Sequence, residues 1–256
     1  MNVSLFIPCY VNQFYPQVAI ATLRLLQKLG CRVDYPLSQT CCGQPMANSG
    51  YEYLSQSCNE LFTGNFKDAD YIVCPSGSCT LHIKEHLHSH INENMATGIR
   101  KKVYELTEFL TDILKVETLD ASFPYRVGIH QSCHGQRGLH LSQMSELVAG
   151  PFSKPGSLLN MVKDIELVEL SRLDECCGFG GTFCVTEEAL SVKMGKDRIA
   201  DHEKNNVEVI TGVDMSCLMH LEGILRRKKS SIQVKHIAEI LLSEPINEQQ
   251  VIKVKR

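Results

Sequence analysis

One pattern runs twice along this chain, in the same order, and it constrains the fold more than any other feature. In the first half an apolar run, Asn2–Pro8, leads into Cys9. A helical stretch and a second apolar run, Cys31–Pro36, lead into Cys41-Cys42-Gly43. A third run, Tyr71–Cys74, precedes Ser78-Cys79-Thr80-Leu81-His82, and Val103–Ile113 closes the half as an amphipathic segment. The second half repeats each landmark. Arg126–Ser132 leads into Cys133, Ile165–Leu170 into Cys176-Cys177-Gly178, and Val207–Thr211 into Ser216-Cys217-Leu218-Met219-His220, with Val234–Leu242 at the close. A repeat of this length means one supersecondary unit built twice.

The unit reads as α/β. After Cys9, Pro16 suits the first turn of a helix and Gly30 its end. Between them Val18, Ala21, Leu25 and Leu29 recur at helical spacing and form one apolar stripe. The strands are short and rich in Val and Ile, as strands buried in parallel sheets are. The expected fold is therefore two tandem repeated α/β units with parallel sheets and cysteine sites at the carboxyl ends of strands. The expected divisions are 1–120, 124–243 and an exposed polar tail at 244–256, with the boundary at the aperiodic Glu117–Phe123.

Twelve cysteines in 256 residues is the abnormal count. The net charge of −3 offers no field for nucleic acid or an anionic membrane surface. The short apolar start lacks a basic region, and no stretch is long enough to span a bilayer. A soluble, cytoplasmic protein is expected. In a reducing compartment free thiols point to metal binding or redox chemistry rather than disulfides.

Four cysteines per half occupy equivalent places: Cys9, Cys41, Cys42 and Cys79, then Cys133, Cys176, Cys177 and Cys217. Four soft thiolates suit an iron–sulfur cluster or a closed zinc site and argue against magnesium or calcium. Neighbouring cysteines diverge along an extended chain, so both reach one site only through a tight turn, which the following glycine permits. Gly178-Phe179-Gly180-Gly181 adds backbone N–H groups close to sulfur, of the kind that tune a reduction potential. The competing reading, small buried hydrophobes, is retained for Cys31 and Cys58. Cys74 and Cys184 read more readily as buried structural thiols than as spare ligands or disulfide partners.

These motifs resemble the cysteine-rich CCG domain, found in heterodisulfide reductases and in the iron–sulfur subunits of glycolate oxidase and anaerobic glycerol-3-phosphate dehydrogenase. Cys74-Pro75-Ser76-Gly77-Ser78-Cys79, Cys176-Cys177-Gly178-Phe179-Gly180-Gly181-Thr182-Phe183 and Asp214-Met215-Ser216-Cys217-Leu218-Met219-His220 carry the resemblance, which runs from Phe6 to about Leu242. It is strongest to the family's lactate-oxidising members, which lack a ferredoxin-like N-terminal domain. The resemblance implies an iron–sulfur redox subunit of a multi-protein complex oxidising L-lactate to pyruvate, alongside a larger ferredoxin-like iron–sulfur protein and a small subunit. It implies clusters of the 4Fe–4S type, noncubane in the heterodisulfide relatives, on the eight cysteines above. The full family motif ends Cys-x-x-Cys. Here both halves end Cys-x-x-His, so His82 and His220 are candidate replacement ligands. The alternative is that each only caps or hydrogen-bonds nearby.

Two other readings stay open: a thiol–disulfide reductase acting at a cluster, and a zinc-stabilised scaffold without redox chemistry. The histidines at 82, 86, 88 and 90 form a run in which His82 and His86 share a helix face. That run suits a solvated face or adventitious metal binding better than catalysis. His134 beside Cys133 reads as a neighbour of the ligand set rather than as the base of a nucleophilic pair. The glycine string lacks dinucleotide spacing, so electron relay is expected rather than hydride acceptance.

Overall fold

The structure is a computed structural model that describes residues 1–148 and 150–244. The expected tail, from residue 245 onward, lies outside the described residues. Among the described residues, eight strands form two four-stranded parallel sheets. The first contains β1 (Asn2–Leu5), β2 (Arg32–Asp34), β3 (Ile72–Cys74) and β4 (Val103–Glu105), in the order β2-β1-β3-β4. The second contains β5 (Arg126–Ile129), β6 (Glu166–Val168), β7 (Val209–Gly212) and β8 (Gln233–His236), in the order β6-β5-β7-β8. The doubled α/β architecture expected from the repeat is present.

Registers match between the sheets. Val3 pairs with Val33 and Leu5 with Val73, as Val127 pairs with Leu167 and Ile129 with Thr211. Burial explains the strand compositions. The central strand Ile72-Val73-Cys74 is wholly inaccessible, so every position is apolar. The edge strand Arg32-Val33-Asp34 carries exposed charges at both ends, which also discourage further strand pairing.

The Pro16–Lys28 helix starts at its proline and stops before Gly30, whose φ of 81° a side chain would disfavour. Its buried face holds Val18, Ala21, Thr22, Leu25 and Leu26, while Leu29 is only partly covered. Fully burying side chains such as Leu25 contributes roughly 1.5–3 kcal/mol each.

Each closing amphipathic segment divides into a strand and a helix. Val103–Glu105 and Gln233–His236 are the fourth strands, and helix begins only afterwards, at Leu106 and Ile237. Each closing helix crosses to the other half. Ile237–Leu241 packs on Pro16–Lys28, and Leu106–Glu108 packs on Lys154–Leu159. One hydrophobic core accordingly runs through both halves, joining Val3, Leu25 and Phe109 to Val127, Ile210 and Leu241. Among the described residues no helix is long and apolar enough to cross a membrane.

In each sheet the chain leaves the first strand to one side and returns on the other. The loops after β1 and β3 therefore part at the carboxyl edge, as do those after β5 and β7. Such a topological switch point leaves a crevice where open α/β sheets bind ligands. Cys9 and Cys79 stand on the first pair of loops, Cys133 and Cys217 on the second.

Candidate metal centre

Each set of four cysteines is assembled from the same three places. Cys9 opens the Cys9–Phe14 helix just past β1, and Cys133 opens a helical turn just past β5. Cys79 lies in the first turn of the Gly77–His86 helix, and Cys217 in the first turn of Met215–Lys228. The Cys-Cys-Gly turns come from the loops after the edge strands. Gly43 and Gly178 have φ of 91° and 86°, a region costly for any residue with a Cβ. This reverses the chain directly after the pair, as the motif requires.

The sulfurs converge. Cys9 Sγ lies 3.9 Å from Cys41 Sγ, and Cys42 Sγ lies 3.3 Å from Cys79 Sγ. Two thiolates sharing a tetrahedral ion at about 2.3 Å lie roughly 3.8 Å apart, so these spacings suit a common metal centre. Backbone N–H groups point at the same sulfurs. Gly43 donates to Cys41 Sγ at 3.4 Å, Gly178 to Cys176 Sγ at 3.3 Å, and Phe179 to Cys177 Sγ at 3.4 Å.

Ionisation follows the same plan in both halves. Hydrogen bonds from the Cys42 and Cys9 thiols, aided by the Gly43 N–H and nearby His82, pull the Cys41 pKa well below the usual thiol range against the effect of burial. Hydrogen bonds from Cys133 and Cys177, aided by the Gly178 N–H and nearby His130, do the same at Cys176. Cys9 and Cys133 shift upward as the donors of those bonds, and burial adds to the shift. Cys42 and Cys177 move up for the same two reasons. Thiols packed this closely cannot all ionise unless a cation neutralises them. A bound metal would supply that cation.

All eight cysteines line one cavity of about 480 Å³ between the two halves. Its seam is held by Asp214, which is 2% exposed. The Asp214 carboxylate accepts hydrogen bonds from the Ser78 N–H at 2.7 Å and from the hydroxyls of Ser76, Ser78 and Ser216 at 3.2, 3.1 and 2.9 Å. The Gly77 N–H donates to the Val213 carbonyl at 3.2 Å. A carboxylate between two helix N-termini is favoured by both dipoles, so the helices bearing Cys79 and Cys217 are fixed to each other. Phe179 packs edge-on against Tyr10 across the same seam, ring centroids 6.0 Å apart.

This repeated Cys-Cys-Gly architecture has relatives. A family model described as a cysteine-rich domain, CCG, matches residues 3–84 and again 127–222. The chain belongs to the CCG cysteine-rich domain family. This CCG protein is 42% identical to lactate utilization protein A of Geobacillus kaustophilus, over 94% of this chain and 98% of that one. It is 39% identical to lactate utilization protein A of Bacillus subtilis, over 95% of this chain and 100% of that one. Its fold is similar to that in a crystal structure of a hypothetical protein from Helicobacter pylori, with a TM-score of 0.60 and 12% identity. The match covers 99% of this chain and 51% of that one, so the CCG protein spans about half of that structure.

The two candidate histidines are not equivalent. His82 is buried, its Nε2 has no hydrogen-bond partner, and burial lowers its pKa to about 4. His220 is only half-buried, and its Nε2 lies 3.3 Å from the Ser191 carbonyl. His86 stacks on His82 with centroids 5.1 Å apart, as expected of helical neighbours four residues apart. Cys74 is fully buried and its thiol points to the Ser76 carbonyl; the Cys184 thiol donates to the Gly181 carbonyl at 3.0 Å.

Sequence reasoning did not single out Asp214 or His130. Asp214 had no signal beyond its place before the Ser-Cys motif. His130 stands three residues before Cys133, where the first repeat has Phe6 before Cys9. A histidine replacing an aromatic core residue at matching positions was the available clue.

Proposed function

We propose that this chain is an iron–sulfur redox subunit of a cytoplasmic multi-protein assembly that oxidises L-lactate to pyruvate. The observation that carries this reading is the convergence of two equivalent thiol sets on one cavity, in a chain about 40% identical along nearly its whole length to proteins named for lactate utilization. Cys9, Cys41, Cys42 and Cys79 hold one centre, and Cys133, Cys176, Cys177 and Cys217 hold the other. When bound, iron–sulfur clusters of the 4Fe–4S type supply reversible one-electron storage.

The rest of the work falls to the protein. Cys41 and Cys176, the low-pKa thiols, are ready to bind iron without first losing a proton. The N–H groups of Gly43, Gly178 and Phe179 stabilise negative charge on sulfur and so favour the reduced state. Asp214 keeps the helices of Cys79 and Cys217 together, holding the two centres at one distance. Lactate oxidation releases two electrons, and two one-electron centres, when bound, could hold one each. The partners in this reading are a larger ferredoxin-like iron–sulfur protein and a small subunit.

The test is anaerobic. The chain is reconstituted with iron and sulfide and mixed with the proteins that co-isolate with it. L-lactate should then reduce its clusters while pyruvate accumulates. Clusters that dithionite reduces and L-lactate does not, with the partners present, would count against the proposal.

A further inference from the structure

His130 is 2% exposed, and among the described residues neither ring nitrogen has a hydrogen-bond partner. A buried imidazole left in this state forfeits its hydration with nothing in return. The repeat shows that the position does not require it. Phe6 occupies the same place in the first half, and the backbone bonds agree: Phe6 N–H donates to the Val73 carbonyl at 2.9 Å, His130 N–H to the Thr211 carbonyl at 2.7 Å. Phe6 fills its slot by edge-on packing against Phe62 and Phe66, at 5.0 and 6.0 Å. A phenylalanine thus satisfies the fold, and the second half carries an imidazole instead.

What surrounds that imidazole is a donor set. Among the described residues, a ring nitrogen of His130 and the sulfurs of Cys177 and Cys217 all lie within 4.8 Å of one another. Arg198, itself wholly buried, donates from Nη2 to the Ile129 carbonyl at 3.3 Å and pairs through Nη1 with Asp201 at 3.3 Å. This clamps the end of β5 directly before His130. His220, the histidine that motif spacing nominated, turns its Nε2 to the Ser191 carbonyl instead.

We propose that His130 donates a ring nitrogen to the metal centre of Cys177 and Cys217, so that the two centres of this chain carry unlike ligand sets. The inference rests on the metal-centre reading of the cysteines. An imidazole is a weaker electron donor than a thiolate and neutral where the thiolate is charged. The second centre therefore holds its electron at a higher potential than an all-thiolate equivalent. The two centres become a donor and an acceptor within one cavity.

Isotope-edited pulsed electron paramagnetic resonance tests this on the full chain, anaerobically reconstituted and reduced, with histidine labelled by nitrogen-15. Wild type is expected to show a strong histidine nitrogen coupling at one centre. His130→Phe, which installs the residue the first half already tolerates, should lose that coupling and keep its iron-bound thiolates, whereas His220→Asn should retain it. Persistence in His130→Phe, or loss in His220→Asn, overturns the proposal. Should His130→Phe fail to fold, His82→Asn and His220→Asn decide the matter: both are expected to retain the coupling, and loss in either overturns the proposal. Iron and sulfide analysis of the same wild-type sample reports separately on the cluster reading. If it finds zinc alone, the same isotope experiment on cobalt-substituted protein decides whether His130 is a ligand, with the same two outcomes.

Discussion

Glu105 and His236 occupy matching places at the ends of β4 and β8, both wholly buried, and each caps the helix that follows while its own N–H donates to the carboxylate of Glu108 or Glu239. Burial raises the Glu105 pKa to about 8 from an ordinary 4.5 and lowers that of His236 to about 4 from 6.5. For Glu105 the folded state holds a proton that the unfolded state has lost, so stability falls as pH rises from about 4.5 to about 8. For His236 the unfolded state takes up a proton that the folded state refuses, so stability falls as pH drops from about 6.5 toward 4. Glu105→Gln keeps a capping oxygen and removes the titration. It is expected to be more stable than wild type by about 3 kcal/mol at pH 7, and no different near pH 4, in urea unfolding followed by circular dichroism. An equal difference at both pH values would show that Glu105 does not titrate in this window. Single residues were unevenly legible in the sequence. The eight cysteines declared themselves by recurring in two ordered sets. His130 did not, because a lone histidine in an apolar run resembles any core histidine until its unpartnered nitrogens and sulfur neighbours are seen.

At the scale of elements, the turn after each cysteine pair decides whether four thiols meet. A Cβ on Gly178 would stand 2.6 Å from the Ser191 carbonyl oxygen and 2.7 Å from Met194 Cβ, at a φ of 86°. Gly178→Ala must therefore displace the Glu188–Lys204 helix or open the turn. Both it and Cys177→Ser are expected to lower iron per chain by about half, with the loss confined to the second centre, and Gly178→Ala should also destabilise the fold by about 2–4 kcal/mol. Unchanged iron in either variant, by elemental analysis, would contradict the assignment of that turn to a centre. The Pro16–Lys28 helix was legible because proline, glycine and an apolar stripe agree on one answer. The strands β4 and β8 were not. Each is three or four residues long and runs straight into a helix, so strand and helix together read as one amphipathic segment.

The whole molecule departs furthest from what spacing alone could tell. The repeat predicts two equivalent sites, and the fold brings both to one cavity because each half closes with a helix that packs on the other. The apolar contacts that decide this are long-range and leave no periodic trace in the chain. Since one core serves both halves, neither half can expose its buried face without loosening the other. Thermal unfolding of the metal-free chain is expected to be a single transition, with near- and far-ultraviolet circular dichroism coincident. Two separated transitions would mean that the halves are independent. The central claim is that these thiols hold iron–sulfur centres. Its most direct test is the count of iron and acid-labile sulfide, with zinc measured alongside, on protein purified without oxygen. The account predicts iron and sulfide in about equal amounts, sufficient for two centres per chain. Zinc alone, persisting after anaerobic reconstitution with iron and sulfide, would contradict it and leave the cysteines a structural role.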